Sequence, residues 1–256
     1  MWPVRFGWKS RNARWGKTPG APEEIQFLRG PQRRSFELWR TFRIACEFMR
    51  GFRALHFVGP CVTVFGSARF PETHPYYVVG RQLGARLARA GFTVMTGGGP
   101  GIMEAANRGA KEVGGRSVGC NIELPTEQFP NPYLDRWITF RHFFVRKVML
   151  IKYSYAFIAL PGGFGTLDEI FETATLIQTG KIREFPLVLL GREFWRPLME
   201  FLEERLVPEG TVDPADPKRL TVTDSPAEAV AVIADAAVRR FGLSYRRPRR
   251  RWFLGE

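Results

Sequence analysis

The residues able to do chemistry gather in two glycine-rich runs. One is Pro161-Gly162-Gly163-Phe164-Gly165-Thr166-Leu167-Asp168-Glu169, the other Gly97-Gly98-Gly99-Pro100-Gly101-Ile102-Met103-Glu104. Glycine lets backbone approach a ligand with no side chain in the way. Each run follows a short apolar stretch and precedes a helical pattern. A turn at such a junction offers unpaired N–H groups and the positive end of the helix dipole, which suits a phosphate. Neither run is G-x-G-x-x-G with an acidic partner further on, and neither is a Walker loop. Two such turns at the carboxyl ends of parallel strands form a crevice, where open α/β sheets bind ligands. A further turn, Gly66-Ser67-Ala68-Arg69, follows another apolar strand and brings Ser67 to the same edge.

Glu169 has two readings. Thr166 can cap a helix that begins there, and Glu169, three residues on, would complete a capping box. Its carboxylate can instead face a ligand. Residues 141–153 read as a helix containing His142, Arg146 and Lys147, with His142 and Arg146 on one face. Arg146 suits either a surface ion pair or the crevice.

The elements that must position these groups follow from periodicity. Apolar runs mark buried strands at 61–65, 92–95, 118–124, 156–160 and 185–190, with 220–222 as a possible edge strand. Helical patterns fall at 76–90, 102–112, 194–206 and 226–241, and a further helix follows the second glycine turn from Thr166. Residues 138–140 read as a short strand or a helix lead-in. The exit from the third strand, 125–133, is too rich in proline for a helix and should lie over the carboxyl edge of the sheet. Strands alternating with helices predict a Rossmann-like, doubly wound parallel sheet with helices on both faces. Ahead of it, Phe36, Trp39, Phe42, Cys46 and Met49 recur at helical spacing over 35–52, a stripe that packs on its own domain or on another subunit. The organisation expected is an irregular basic segment at 1–34, a helical extension at 35–57, the nucleotide-binding domain at 58–240 and a basic tail at 241–256.

Composition narrows the function classes. The 256 residues carry a net charge of +13, concentrated at the two ends: residues 1–53 are net +8, residues 239–256 net +6, and the middle net −1. The basicity therefore does not belong to the crevice. Basic ends can bind nucleic acid, but solvated tails are the plainer reading, and no nucleic-acid partner is expected. Cys46, Cys61 and Cys120 have no C-x-x-C spacing, which fits a reducing, cytoplasmic location. His56, His74 and His142 are scattered, so no metal site is expected. No apolar run approaches the roughly 18 to 20 residues of a membrane span.

Taken together, P-G-G-F-G-T-L-D-E at 161–169, G-G-G-P-G-I-M-E at 97–104 and Arg146-Lys147 between them resemble the LOG (Lonely Guy) family. Its members are nucleoside 5′-monophosphate phosphoribohydrolases, also carried under the label lysine decarboxylase. The resemblance spans about residues 58–240. The segment W-R-T-F-R-I at 39–44 is similar to the longer bacterial members, which implies a homodimer or larger assembly. The resemblance implies catalytic roles for Arg146 and Glu169. It implies substrate contacts from Lys147, from Gly163, Phe164, Gly165, Thr166, Leu167 and Asp168, and from Thr175; the acidic residue of the third loop falls on Glu127. The first glycine turn, Gly97, Gly98, Gly99 and Gly101, joins Ser67 in lining the crevice. The substrate implied is a purine nucleoside monophosphate, AMP or one of cytokinin type, with no cofactor. No lysine stands in a context that argues for a pyridoxal Schiff base. A non-catalytic nucleotide-binding module of the same fold, or a nucleic-acid protein using its basic ends, are the alternatives.

Overall fold

The computed structural model describes Glu24, Phe27 and residues 34–124, 129–183 and 185–241. Seven strands form one sheet: β1 (Cys61–Phe65), β2 (Thr93–Thr96), β3 (Ser117–Ile122), β4 (Arg136–Phe140), β5 (Ser154–Ala159), β6 (Leu187–Leu190) and β7 (Leu220–Thr223). Their spatial order is β4-β3-β2-β1-β5-β6-β7, and every described pairing is parallel. The chain thus winds outward from β1 to one edge, returns to β5 on the other side of β1, and winds to the opposite edge. Ile138–Phe140 belong to an edge strand, which settles their two readings.

Among the described residues seven α-helices from 34 onward cover both faces: α1 (Arg34–Leu55), α2 (Pro75–Arg89), α3 (Ile102–Glu112), α4 (Phe143–Tyr153), α5 (Phe164–Gln178), α6 (Arg192–Phe201) and α7 (Pro226–Phe241). Alternate strand residues point to opposite faces. Val62, Val64, Val94, Ala156 and Ile158 therefore pack with Leu83 and Leu87 of α2, Ile102 and Ala106 of α3 and Ile233 of α7. Cys61, Phe65, Met95, Cys120 and Phe157 pack with Leu55 of α1, Val145 and Met149 of α4, Ile170 of α5 and Trp195 of α6. Burial on both faces is why these strands are apolar throughout.

Several expected boundaries move. α6 ends at Phe201 and passes into a π-helical turn at Leu202–Leu206, with Pro197 inside the helix. α4 begins at Phe143, so His142 is its N-cap rather than an interior residue. α1 reaches Leu55, and its inward face is Arg40, Glu47, Gly51 and Leu55. The apolar stripe turns outward: Trp39, Phe42 and Met49 are each about 60% exposed. Packing on its own domain is therefore not what that stripe does. Among the described residues, no helix is long and apolar enough to cross a membrane.

Candidate active site

The crossing from β1 to β5 makes the centre of the sheet a switch point, and three turns interlock there. The Ser67 N–H donates to the Pro161 carbonyl (2.9 Å) and the Ile102 N–H to the Ser67 carbonyl (3.0 Å). Gly101, at φ 66°, must be glycine: a Cβ there would lie 2.3 Å from the Ser67 carbonyl oxygen. Ser67 is partly buried, and its hydroxyl accepts the Arg69 N–H. The turn after β2 is held by a buried polar network that the sequence did not announce. Thr96 Oγ1 donates to Asn107 Oδ1 (2.6 Å) and accepts the Gly98 N–H, while Asn131 bonds the Gly98 and Gly99 carbonyls. Asn131 thereby holds its end of the expected 125–133 segment against the β2 turn; residues 125–128 lie outside the described residues. Glu127 lies outside the described residues.

α5 starts at Phe164 with Gly163 as N-cap, and no side chain caps it. The capping box is therefore overturned. Thr166 falls inside the first turn, buried, with Gly162 pressed against it: a Cβ at Gly162 would lie 2.1 Å from Thr166 Oγ1. The Thr166 N–H already donates to the Gly163 carbonyl (3.0 Å). It is not available to a phosphate, which leaves the N–H groups of Gly163, Phe164 and Gly165 at the helix start. A Cβ on Gly163 or Gly165 would meet nothing within 4 Å, and Phe164 stands 92% exposed between them. This turn opens onto free space, unlike its two neighbours.

Glu169, freed from capping, is 3% exposed, and its Oε2 has no hydrogen-bond partner. Burial pushes its carboxyl up to about 7, against the pull of the Arg146 and Lys147 charges. A carboxyl poised there can change protonation during a reaction at neutral pH. Arg146 is not a surface ion pair. Its Nε donates to the Cys120 carbonyl within β3 (2.8 Å), and its guanidinium fills the space beside Gly97, where a Cβ would lie 2.4 Å from Nη2. Burial draws it below the ordinary arginine range while Glu169 opposes that, and a guanidinium remains charged in any case. Arg146 thus ties α4 to β3 and to the β2 turn, and its charge acts on the α5 carboxylate.

Lys147 points elsewhere. Its Nζ lies 3.0 Å from both Asp168 Oδ1 and Glu172 Oε2. Burial works against its charge, but those two carboxylates outweigh it and hold it above the ordinary lysine range. Lys147 and Asp168 tie α4 to α5; Leu167 packs partly buried against the core. Thr175 is not brought to Glu169. It is exposed, and its hydroxyl donates to the Phe171 carbonyl (2.7 Å). Thr173, one turn beyond Glu169, is fully buried with an unpartnered hydroxyl. Its i+4 spacing from Glu169 was the available signal.

The family model described as "Possible lysine decarboxylase" matches residues 103–233. A cytokinin riboside 5′-monophosphate phosphoribohydrolase from Rhodococcoides fascians is 32% identical over 176 residues, covering 67% of this chain and 88% of that protein. The chain belongs to the LOG family. A probable rice member (Oryza sativa subsp. japonica), LOGL5, is 34% identical over 170 residues, covering 64% of this chain and 67% of its own length. An X-ray structure from a structural genomics consortium is 25% identical with a TM-score of 0.54, covering 69% of this chain and 99% of that one. LOG membership places this chain among the phosphoribohydrolases, which are hydrolases, in spite of the decarboxylase label.

Proposed function

We propose that this chain hydrolyses the N-glycosidic bond of a purine nucleoside 5′-monophosphate, giving free base and ribose 5-phosphate. The observation that carries this is the buried, unpartnered carboxyl of Glu169, set beside Arg146 behind an open glycine turn. The 5′-phosphate accepts N–H groups of Gly163, Phe164 and Gly165 at the positive end of α5. The ribose then lies over Glu169. Breaking the C1′–N bond sends its electron pair to the base and leaves positive charge on the sugar. The ionised carboxylate stabilises that charge and takes a proton from the attacking water, by analogy with glycoside hydrolysis. Water supplies the oxygen to C1′ and the base leaves with a proton. Arg146 provides a fixed positive charge, either to the departing base or to the phosphate. The names of the relatives put adenine and N6-substituted adenines first among the bases to try.

The test compares AMP with adenosine by released base. AMP is expected to be far the better substrate. Equal kcat/KM for the two would overturn the phosphate site, and no turnover with any nucleoside monophosphate would overturn the reading.

A further inference from the structure

Residues before the first strand make contact with the helix that carries Arg146. Glu47 of α1 is 5% exposed. Its Oε1 accepts the backbone N–H of Arg141 and of His142, the latter at 3.3 Å, and its Oε2 lies 2.6 Å from His142 Nδ1. Glu24 Oε1 accepts the next N–H, that of Phe143, at 3.0 Å. Three consecutive N–H groups at the start of α4 are thus satisfied by two carboxylates from outside the sheet domain. A helix start leaves its first donors unpaired, and anions there are favoured by the dipole. His142 makes no side-chain cap bond of its own, and its Nε2 is buried without a partner, so among the described residues Glu47 orients the ring by hydrogen bonding. The same His142 carbonyl accepts the Arg146 N–H at 3.2 Å. α1 then follows α4 in the same direction. Gly51 lies against Met149, where a Cβ would be 2.9 Å from Sδ, and the Tyr153 hydroxyl donates to the Phe52 carbonyl at 3.3 Å.

We propose that Glu47 and Glu24 are positioning residues: they cap α4 from the amino-terminal segment and so hold Arg146 in the crevice. This rests on the reading of Arg146 as part of the active site. It gives that segment a role in turnover separate from any subunit contact, because the capping face of α1 is the one turned inward.

The test uses the full chain with Glu47→Ala, Glu24→Ala and Glu47→Gln. A glutamine keeps an acceptor for the backbone N–H groups and can pair with the other tautomer of His142. In Glu47→Ala, kcat for AMP is expected to fall by about 10- to 100-fold, as a displaced catalytic group produces, with a smaller change in KM. Backbone amides of Arg141, His142 and Arg146 should exchange faster while those of β5 keep their protection. Glu24→Ala should do the same more weakly, and Glu47→Gln should restore most of kcat. Parent-like kcat and exchange in Glu47→Ala would overturn the proposal. So would a loss of protection spread evenly over β1 and β5 in both Glu47 variants, the mark of a purely structural residue. If the parent itself turned over no nucleotide, the functional reading would fail, and the exchange data would still decide whether Glu47 and Glu24 order Arg146.

Discussion

Glu169 can be separated from its surroundings by one substitution. Glu169→Gln keeps shape and removes charge, and since the residue caps nothing, its helix has no reason to fray. A fall in kcat of about 10² to 10⁴ is expected with an unchanged or higher melting temperature; full activity would remove the carboxylate from the chemistry. The pH dependence follows from its carboxyl at about 7, above the ordinary 4.5. Between those values the folded protein keeps a proton that the unfolded chain has released. The stability due to this group is therefore complete below pH 4.5 and is lost as pH rises to 7, on the order of 3 kcal/mol. Melting temperature against pH should be flatter for Glu169→Gln across that window. Activity runs the other way if the ionised form works: kcat/KM should climb through about pH 7. Arg146→Ala distinguishes its two roles, since loss confined to kcat means the departing base and a raised KM means the phosphate. The glycines divide similarly. Gly163→Ala meets open space, so it should spare the fold and raise KM for AMP, whereas Gly162→Ala meets Thr166 and should cost about 1–3 kcal/mol. Thermal melts beside steady-state kinetics separate the two.

At the scale of elements, the sheet was legible and some helix ends were not. A strand buried on both faces must be apolar along its length, so Cys61–Phe65 and the central strand stood out with their boundaries nearly right. α5 begins three residues ahead of the capping-box reading, in which Thr166 is the N-cap and Glu169 its partner; Gly163 takes the N-cap, and both side chains turn inward. Residues whose worth lies in distant partners gave no local signal. Asn107 and Asn131 meet across the β2 turn at 3.0 Å, and Glu47 meets His142 from 95 positions away. α1 was misjudged for the same reason, since its inward face includes Arg40 and Glu47, and polarity hid it. We propose that its outward stripe, with Trp39 and Phe42 stacked at 5.8 Å between ring centres, is a surface for a second copy of the chain. Covering one such aromatic contributes about 1.5 to 3 kcal/mol. Trp39→Asp is therefore expected to lower the molar mass seen by light scattering without lowering kcat through Glu47; a parent that is already monomeric would refute the contact.

For the whole molecule, the position of β1 has a consequence in time. β1 is flanked by β2 and β5, and Thr63 bonds Ser154 at 2.6 Å across 91 positions of sequence. During synthesis the chain lengthens at about 5–20 residues per second. β1 therefore waits roughly 5 to 18 s for its second neighbour. Until then its apolar edge, among the most deeply buried in the finished protein, is open to any passing strand. Glu169 is made later still. A fragment of residues 34–153, which stops before β5, is expected to associate into large soluble species with concentration, as seen by light scattering, while the full chain refolds with a yield that drops as protein concentration rises. A fragment that stayed monomeric would mean that α4 or the amino-terminal helix shields that edge until β5 is made.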